Sequence, residues 1–444
     1  MDAIRRSGLA RWLLAAAAVA ALAPSPAAAD HDGGIGGVHY RPQVDVAPDG
    51  TATVAWEAVA ADRHAIFVRR RSPAGTLGAK RQVSPVGVDA WDARLAVDGN
   101  GAATIVWRKV TGTGGVIQMR RLAADGTLGT ILDLAPAGTP SRPDVAVGAT
   151  GVVTAVWTDY DTALGKPVVR ARQRAGVNPL RPLQTVGPYQ DGDPQVTADP
   201  AGNATIAWLG WDSWFNVVKT RRLSGTGTFG AEATLTSAGA NAFGVQVAAA
   251  PSGRATLAWV RSDGSNLRVE SRWRDPDGTA GPVAALSAAG GDAFLPQLAG
   301  DQDGDMTFTW QRDNGVDVLA QTRSRVGGVL TAVQTLSAAG HDVSKPQVDV
   351  SPTGDARFTW NRFNGSFDVV QTRRRSAAGT LGVLTNASTT GSDAIEQQVA
   401  VDANGNAVLV WNRQGELHDP ANPPHLQLRA VSAGGTVGAT QNLE

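Results

Sequence analysis

Eight tryptophans recur along this chain at almost fixed spacing: Trp56, Trp107, Trp157, Trp208, Trp259, Trp310, Trp360 and Trp411. Successive gaps are 51, 50, 51, 51, 51, 50 and 51 residues. Six residues before each stands a glycine: Gly50, Gly101, Gly151, Gly202, Gly253, Gly304, Gly354 and Gly405. A period of this size overrides any domain count taken from length. It signals one supersecondary unit written repeatedly, as in propellers and solenoids.

The interior of the unit chooses between them. "PQVDVAP" alternates in polarity, "TATVAW" is rich in β-branched residues, and "IFVRRRS" and "KRQVS" complete four short strands. Tight turns join them, including "SPAGTLG" from Ser72 to Gly78, and no stretch carries a helical period. Four antiparallel strands per unit make one propeller blade, whereas solenoid rungs are usually shorter. The expected fold is therefore all-β: an eight-bladed β-propeller over residues 42–444. The repeated Gly suits a turn with positive φ, and the repeated Trp suits the space between neighbouring sheets. Both belong to the scaffold, since a ring repeats its scaffold eightfold and a site needs asymmetry. The units run cleanly from first strand to fourth, so the ring should close by packing of blade 1 on blade 8, without a swapped strand.

A third repeated feature is an arginine thirteen residues after the Trp: Arg69, Arg120, Arg170, Arg221, Arg272, Arg323 and Arg373, with Arg429 displaced by a five-residue insertion. Buried guanidinium groups need acceptors. Candidate partners are the acids eighteen residues before the Trp, namely Asp89, Asp292, Asp342 and Asp393, with Asn241 in the fifth unit. These serve only half the ring, leaving backbone oxygens or solvent for the rest.

The stretch "PQVDVAPDGTATVAW" resembles the P-x-x-S-P-D-G core of TolB-like propeller repeats, and "KPQVDVSPTGDARFTW" (Lys345 to Trp360) matches again. The resemblance implies a propeller whose first strand lines a central channel. The family pattern has six or seven blades, so a count of eight departs from it. Sialidase-like propellers carry S-x-D-x-G-x-x-W; here the Gly-to-Trp distance is longer and Asp is absent from most equivalent turns.

The N-terminus reads as a processing signal. Arg5, Arg6 and Arg11 precede the apolar run "WLLAAAAVAALA", which is too short to span a bilayer, and small residues at Ala27 and Ala29 place cleavage after Ala29. Residues 1–29 are thus an expected signal peptide and residues 30–41 an N-terminal segment. Export by the general route fits better than the twin-arginine route, given the flanks "IRRSGLA". There is no cysteine, so disulfides, thiolate metal sites and a lipidated N-terminal Cys are excluded. Basic and acidic residues balance at 40 each, which offers no general attraction to nucleic acid. The expectation is a secreted or cell-envelope-associated protein, monomeric and not integral to a membrane.

Function belongs where the repeats differ. Loops after the second and fourth strands share one face and vary most. "WLGWDSWFNVV" adds Trp211, Asp212, Trp214 and Phe215 to the scaffold Trp208. Neighbouring loops add Tyr160, Tyr189 and Phe243, and "VDAWDARL" adds Trp91. Aromatic rings beside Asp suit sugar stacking or a protein hot spot. "DQDGDMTFTW" sets Asp301, Asp303 and Asp305 about one turn, a weak pattern for Ca²⁺. The insertion "QGELHDPANPPHLQL" holds Glu416, His418, Asp419 and His425 without a strong metal or catalytic spacing. Arg261, Arg312, Arg362 and Arg413 recur two residues after the late Trp positions, hinting at a basic half of this face. The expectation is a binding or scaffolding module for an extracellular protein or glycan, without catalysis. The alternative is a carbohydrate-active enzyme, a sialidase-like hydrolase or lyase, working on the loop-rich face.

Overall fold

The computed structural model describes residues 41–60, 62–112, 114–414 and 425–444. The expected signal peptide and residues 30–40 lie outside them, as do Glu416, His418 and Asp419. Among the described residues every regular element is a strand, and the strands form eight antiparallel sheets. Blade 1 is Gln43–Val46, Ala52–Ala60, Arg63–Arg71 and Arg81–Gln82, paired in that order. Blade 8 is Ala394–Val401, Ala407–Arg413, His425–Val431 and Gln441–Asn442. Blade 6 adds a short fifth strand. The first strand of each blade touches the first strands of both neighbours, blade 8 included, so the first strands surround the central channel. The fold is an eight-bladed propeller.

The second strands carry the packing. Ala52–Ala60 is buried along its first seven residues, because sheets cover both of its faces. Each of the eight Trp side chains is fully buried. Each lies in a separate apolar cluster that joins two blades: Trp107, for example, packs with Ala55, Ile66 and Val68 of blade 1. The closing seam is built alike, with Trp56 against Val408, Val410, Leu426 and Leu428. Among the described residues, blades 1 and 8 each take all their strands from their own unit, and the two blades meet by side-chain packing. The repeated Gly residues all have positive φ; Gly50, at 84°, donates its N–H to the Ala47 carbonyl and closes a turn that a Cβ would strain.

The arginine row binds backbone oxygens, not the acids. Arg69 Nε donates to Gly78 O in its own outer turn and Nη1 donates to Leu443 O in blade 8. Arg120 repeats this with Gly129 and Val83, Arg221 with Gly230 and Val186, and Arg373 with Gly382 and Leu336. In blade 3 the role passes from Arg170 to Arg172, which bonds Arg181 O and Leu134 O. The reason is the longer hairpin there: Trp157 pairs with Arg170, thirteen residues on, where Trp56 pairs with Phe67, eleven on. Arg170 instead faces Asp161 at 3.0 Å.

The acids serve the other end of the seam. Asp89, Asp292, Asp342 and Asp393 accept the backbone N–H of His64, Leu267, Val318 and Asp368, at the start of the preceding blade's third strand. Asn241 accepts from Asn216. His64 lies five residues before Arg69, which is about 17 Å along a strand. An Arg at the lower end and an acid at the upper end cannot meet.

Candidate binding face and channel mouth

The upper face is formed by the second-to-third hairpins and the interblade loops. Blade 4 carries its most exposed aromatic group. Trp211 ends the strand Ala204–Trp211 and is 49% exposed; Trp214 is 79% exposed. Asp212 holds the hairpin: its Oδ1 accepts from Trp214 N at 3.0 Å and Phe215 N at 2.8 Å. Those backbone bonds hold its carboxyl below the ordinary range. Ser213 takes a φ of 87°, a strained geometry for a residue with a Cβ. Phe215 is half-buried. On the adjacent blade Tyr160 is 49% exposed, near the tip of the hairpin between Val152–Asp161 and Lys166–Ala175.

The other aromatic candidates are tied into seams. Tyr189 packs against the blade 3–4 core, its hydroxyl donates to Gly192 O at 2.6 Å, and burial raises its pKa to about 12. Phe243 packs against the core between blades 5 and 6. Trp91 stacks on His64 with ring centroids 3.6 Å apart. The late arginines brace loops: Arg261 donates to Ala238 O, Arg362 to Ala339 O, and buried Arg312 to Ala288, Ala289 and Gly291 carbonyls.

A feature absent from the sequence reading rings the upper end of the channel. Fifteen residues before the scaffold Trp, Arg41, Asp92, Arg142, Gly244, Leu295, Lys345 and Glu396 all have positive φ, and in blade 4 Gly192 takes that role beside Asp193. In seven of the blades, all but the first, a register shift next to this position marks a bulge in the first strand. Arg41 pairs with Asp92 at 2.8 Å and Arg142 with Asp193 at 3.2 Å, each across a seam. Below Asp92 lies Glu57, fully buried. Its Oε1 accepts from Asp92 N at 2.6 Å, its Oε2 has no partner, and burial pushes its carboxyl up to about 7.

Further down, carboxylates cap the channel-side edge of the first strands. Asp45 accepts from Val46 N and Val97 N, Asp349 from Val350 N and Val401 N, and Asp144 from Val196 N. Burial outweighs these bonds, raising Asp45 to about 7 and Asp144 and Asp349 to about 6.

At the lower mouth a cavity of about 340 Å³ is lined by Asp199, Asp301, Gln302 and Pro352 among others. Here Asp301 Oδ1 accepts from Asp303 N and Asp305 N, and Asp305 Oδ1 accepts from Gly327 N. The Asp301 and Asp305 carboxylates thus shape the turn. Among the described residues no three His, Asp or Glu side chains form a metal-holding group.

No family profile matches the chain, and no curated protein matches it. Solved structures do. A structure titled as the eukaryotic initiation factor is 10% identical over 95% of this chain and 90% of that one, with a TM-score of 0.50. A structure from a study of two prolyl endopeptidases is 12% identical over 89% of this chain, at TM-score 0.50; the match spans about half, 53%, of that protein. The propeller domain of the Trilobed protease from Pyrococcus furiosus is 7% identical over 76% of this chain and 95% of that one, at TM-score 0.47. At such identities the first two likenesses show the propeller fold alone.

Proposed function

We propose that this is an exported propeller module that recognises a protein or carbohydrate at the cell surface through the upper face of blades 3 and 4. The observation that carries the reading is the exposure of Tyr160, Trp211 and Trp214 on adjacent hairpins, with Trp214 held out by the Asp212 turn and the strained Ser213. Large rigid rings presented this way lose little entropy on binding, and such anchors dominate interfaces. The export signal at residues 1–29 would deliver the module to the cell surface.

The test is a glycan array together with recovery of bound extracellular proteins, followed by affinity measurement on each hit. Trp211→Ala with Trp214→Ala should weaken binding by at least about 2 kcal/mol while leaving the melting temperature in place. A ligand held equally well by the double variant would overturn the reading.

A further inference from the structure

The outer, lower edge of the ring carries a second place where symmetry fails. In the seam between blades 8 and 1, Gln441 bridges two groups of blade 1: Arg71 Nε donates to its Oε1 at 2.9 Å, and its Nε2 donates to Gly75 O at 2.9 Å. The seam between blades 6 and 7 repeats the bridge. Arg375 Nε donates to Gln334 Oε1 and Gln334 Nε2 donates to Gly379 O, each at 2.9 Å.

The blade 4–5 seam keeps the receiving half of this arrangement and lacks the glutamine. Arg274 sits opposite Ala255 as Arg71 sits opposite Ala52 and Arg375 opposite Ala356. Gly278 has a φ of 97°, matching 96° at Gly75 and 88° at Gly379. The glutamine position is Ala233, opposite Thr220 as Gln334 is opposite Thr322. Leu77 and Leu381, which fill the other two seams, correspond to Ala280. Two truncations therefore fall in one seam. Arg274 Nη2 reaches Ala231 O at 3.1 Å, but its Nε is buried without a partner. A cavity of about 370 Å³ opens between the two outer turns, with both Arg274 and Gly278 in its wall.

Neighbouring seams without the glutamine satisfy their arginine differently. Arg174 Nε turns onto Asn178 O of its own turn; Arg325 Nη1 donates to Gly328 O, while its Nε, like that of Arg274, is buried without a partner. Charge in the blade 4–5 cavity is balanced. Arg222 and Arg274 face Asp275 and Asp277, and Asp275 is held by Arg254 at 2.7 Å. A neutral polar group suits this wall better than phosphate or carboxylate, whose burial needs net positive surroundings.

We infer that the cavity between blades 4 and 5 binds a ligand bearing a primary carboxamide, whose oxygen accepts from Arg274 Nε and whose NH₂ donates to Gly278 O. The ligand takes the bonds that Gln441 and Gln334 make inside the protein. A secondary amide, with N–H and C=O pointing apart, cannot make both. The site lies on the opposite face from Trp211 and Trp214 and stands or falls independently of them.

The experiment titrates the full chain with propionamide, propionate and N-methylpropionamide by ligand-observed NMR. Propionamide should bind saturably with a Kd of about 1–10 mM, and the two analogues about tenfold more weakly. Ala233→Gln, which supplies the chain's own bridge, should abolish propionamide binding without lowering the melting temperature. Arg274→Met should also abolish it, and serves if the first variant folds poorly. Undiminished binding to either folded variant, preference for propionate, or no saturation by about 100 mM propionamide would overturn the assignment. With propionamide bound, N-acetylglutamine methylamide against N-acetylalanine methylamide then distinguishes a peptide side chain from a free small amide as the source: a preference for the glutamine compound supports the former, and equal weakness of both supports the latter.

Discussion

The lower edge of each blade seam and its upper edge are built from the same repeat but behave differently. Below, a common frame repeats: a positive-φ Gly with a buried Trp just above it in every blade, and in all blades but the eighth an Arg reaching two backbone oxygens, as Arg69 does. Above, the same strands end in residues that change from blade to blade: Arg41, Asp92, Arg142, Asp193, Gly244, Leu295, Lys345 and Glu396 around the channel mouth. Backbone acceptors are present in every blade whatever its sequence, so a device that uses them can be copied eight times. A device that needs a complementary side chain in the next blade has to alternate, and the Arg41–Asp92 and Arg142–Asp193 pairs do alternate.

The most severe test of this contrast sets a scaffold Trp against a face Trp. Trp310→Ala empties a fully buried site in the blade 5–6 core and should cost about 3–5 kcal/mol. Trp214→Ala, on a mostly exposed ring, should stay within about 0.5 kcal/mol. Urea melts of the two variants check it. Comparable losses would mean that the blade 4 hairpin is part of the scaffold.

A smaller effect is expected at the arginine staples. Arg272→Met keeps most of the apolar stem but removes the bonds to Gly281 O and Leu235 O. It should cost about 1–3 kcal/mol, since two buried carbonyls lose their donor. The denaturation midpoint reads this directly, and an unmoved midpoint would place the row among solvated surface charges.

The fold was legible because its determinants repeat. Gly50 and Trp56 are unremarkable alone and decisive when seen eight times. The partner of the arginine row was not legible, because carbonyl oxygens leave no mark on the sequence. Asp89 looked like a candidate by type, and only strand direction shows that it lies at the opposite end of the seam. The blade 4 aromatic group was half legible: sequence marked Trp211, Trp214, Tyr160 and Tyr189 alike, but burial against Val169 and Trp208 withdraws Tyr189 from solvent. The mouth ring hid for another reason. Its members share a backbone conformation and not a residue type, so aligning single blades shows only scatter. Aligning blades in pairs shows opposite charges on blades 1 and 2, 3 and 4, and 7 and 8, with uncharged Gly244 and Leu295 on blades 5 and 6. The lower turns carry the same two-blade rhythm, with Asp98, Asp199, Asp301 and Asp402 on even blades against Ala47, Gly148, Ala250 and Ser351 on odd ones.

That pairing has a consequence for stability against pH, the smallest of the expected effects. Asp45, Asp144 and Asp349 each reach from an odd blade to a backbone N–H of the following even blade. Burial raises Asp45 to about 7, above the ordinary Asp value that the unfolded chain restores. The folded state therefore binds this proton more tightly than the unfolded state. Its contribution is fully present below the ordinary Asp range and is lost as the pH climbs through about 7. Asn is nearly isosteric with the protonated carboxyl and does not ionise. Asp45→Asn should thus match the parent protein in acid and exceed it at pH 8 by on the order of 1 kcal/mol, the shift being discounted for the water that reaches the channel. Chemical denaturation at pH 5 and pH 8 measures the difference. Parallel pH profiles would show that the channel carboxylate is ionised throughout, and that the N–H bonds across the seam outweigh its burial.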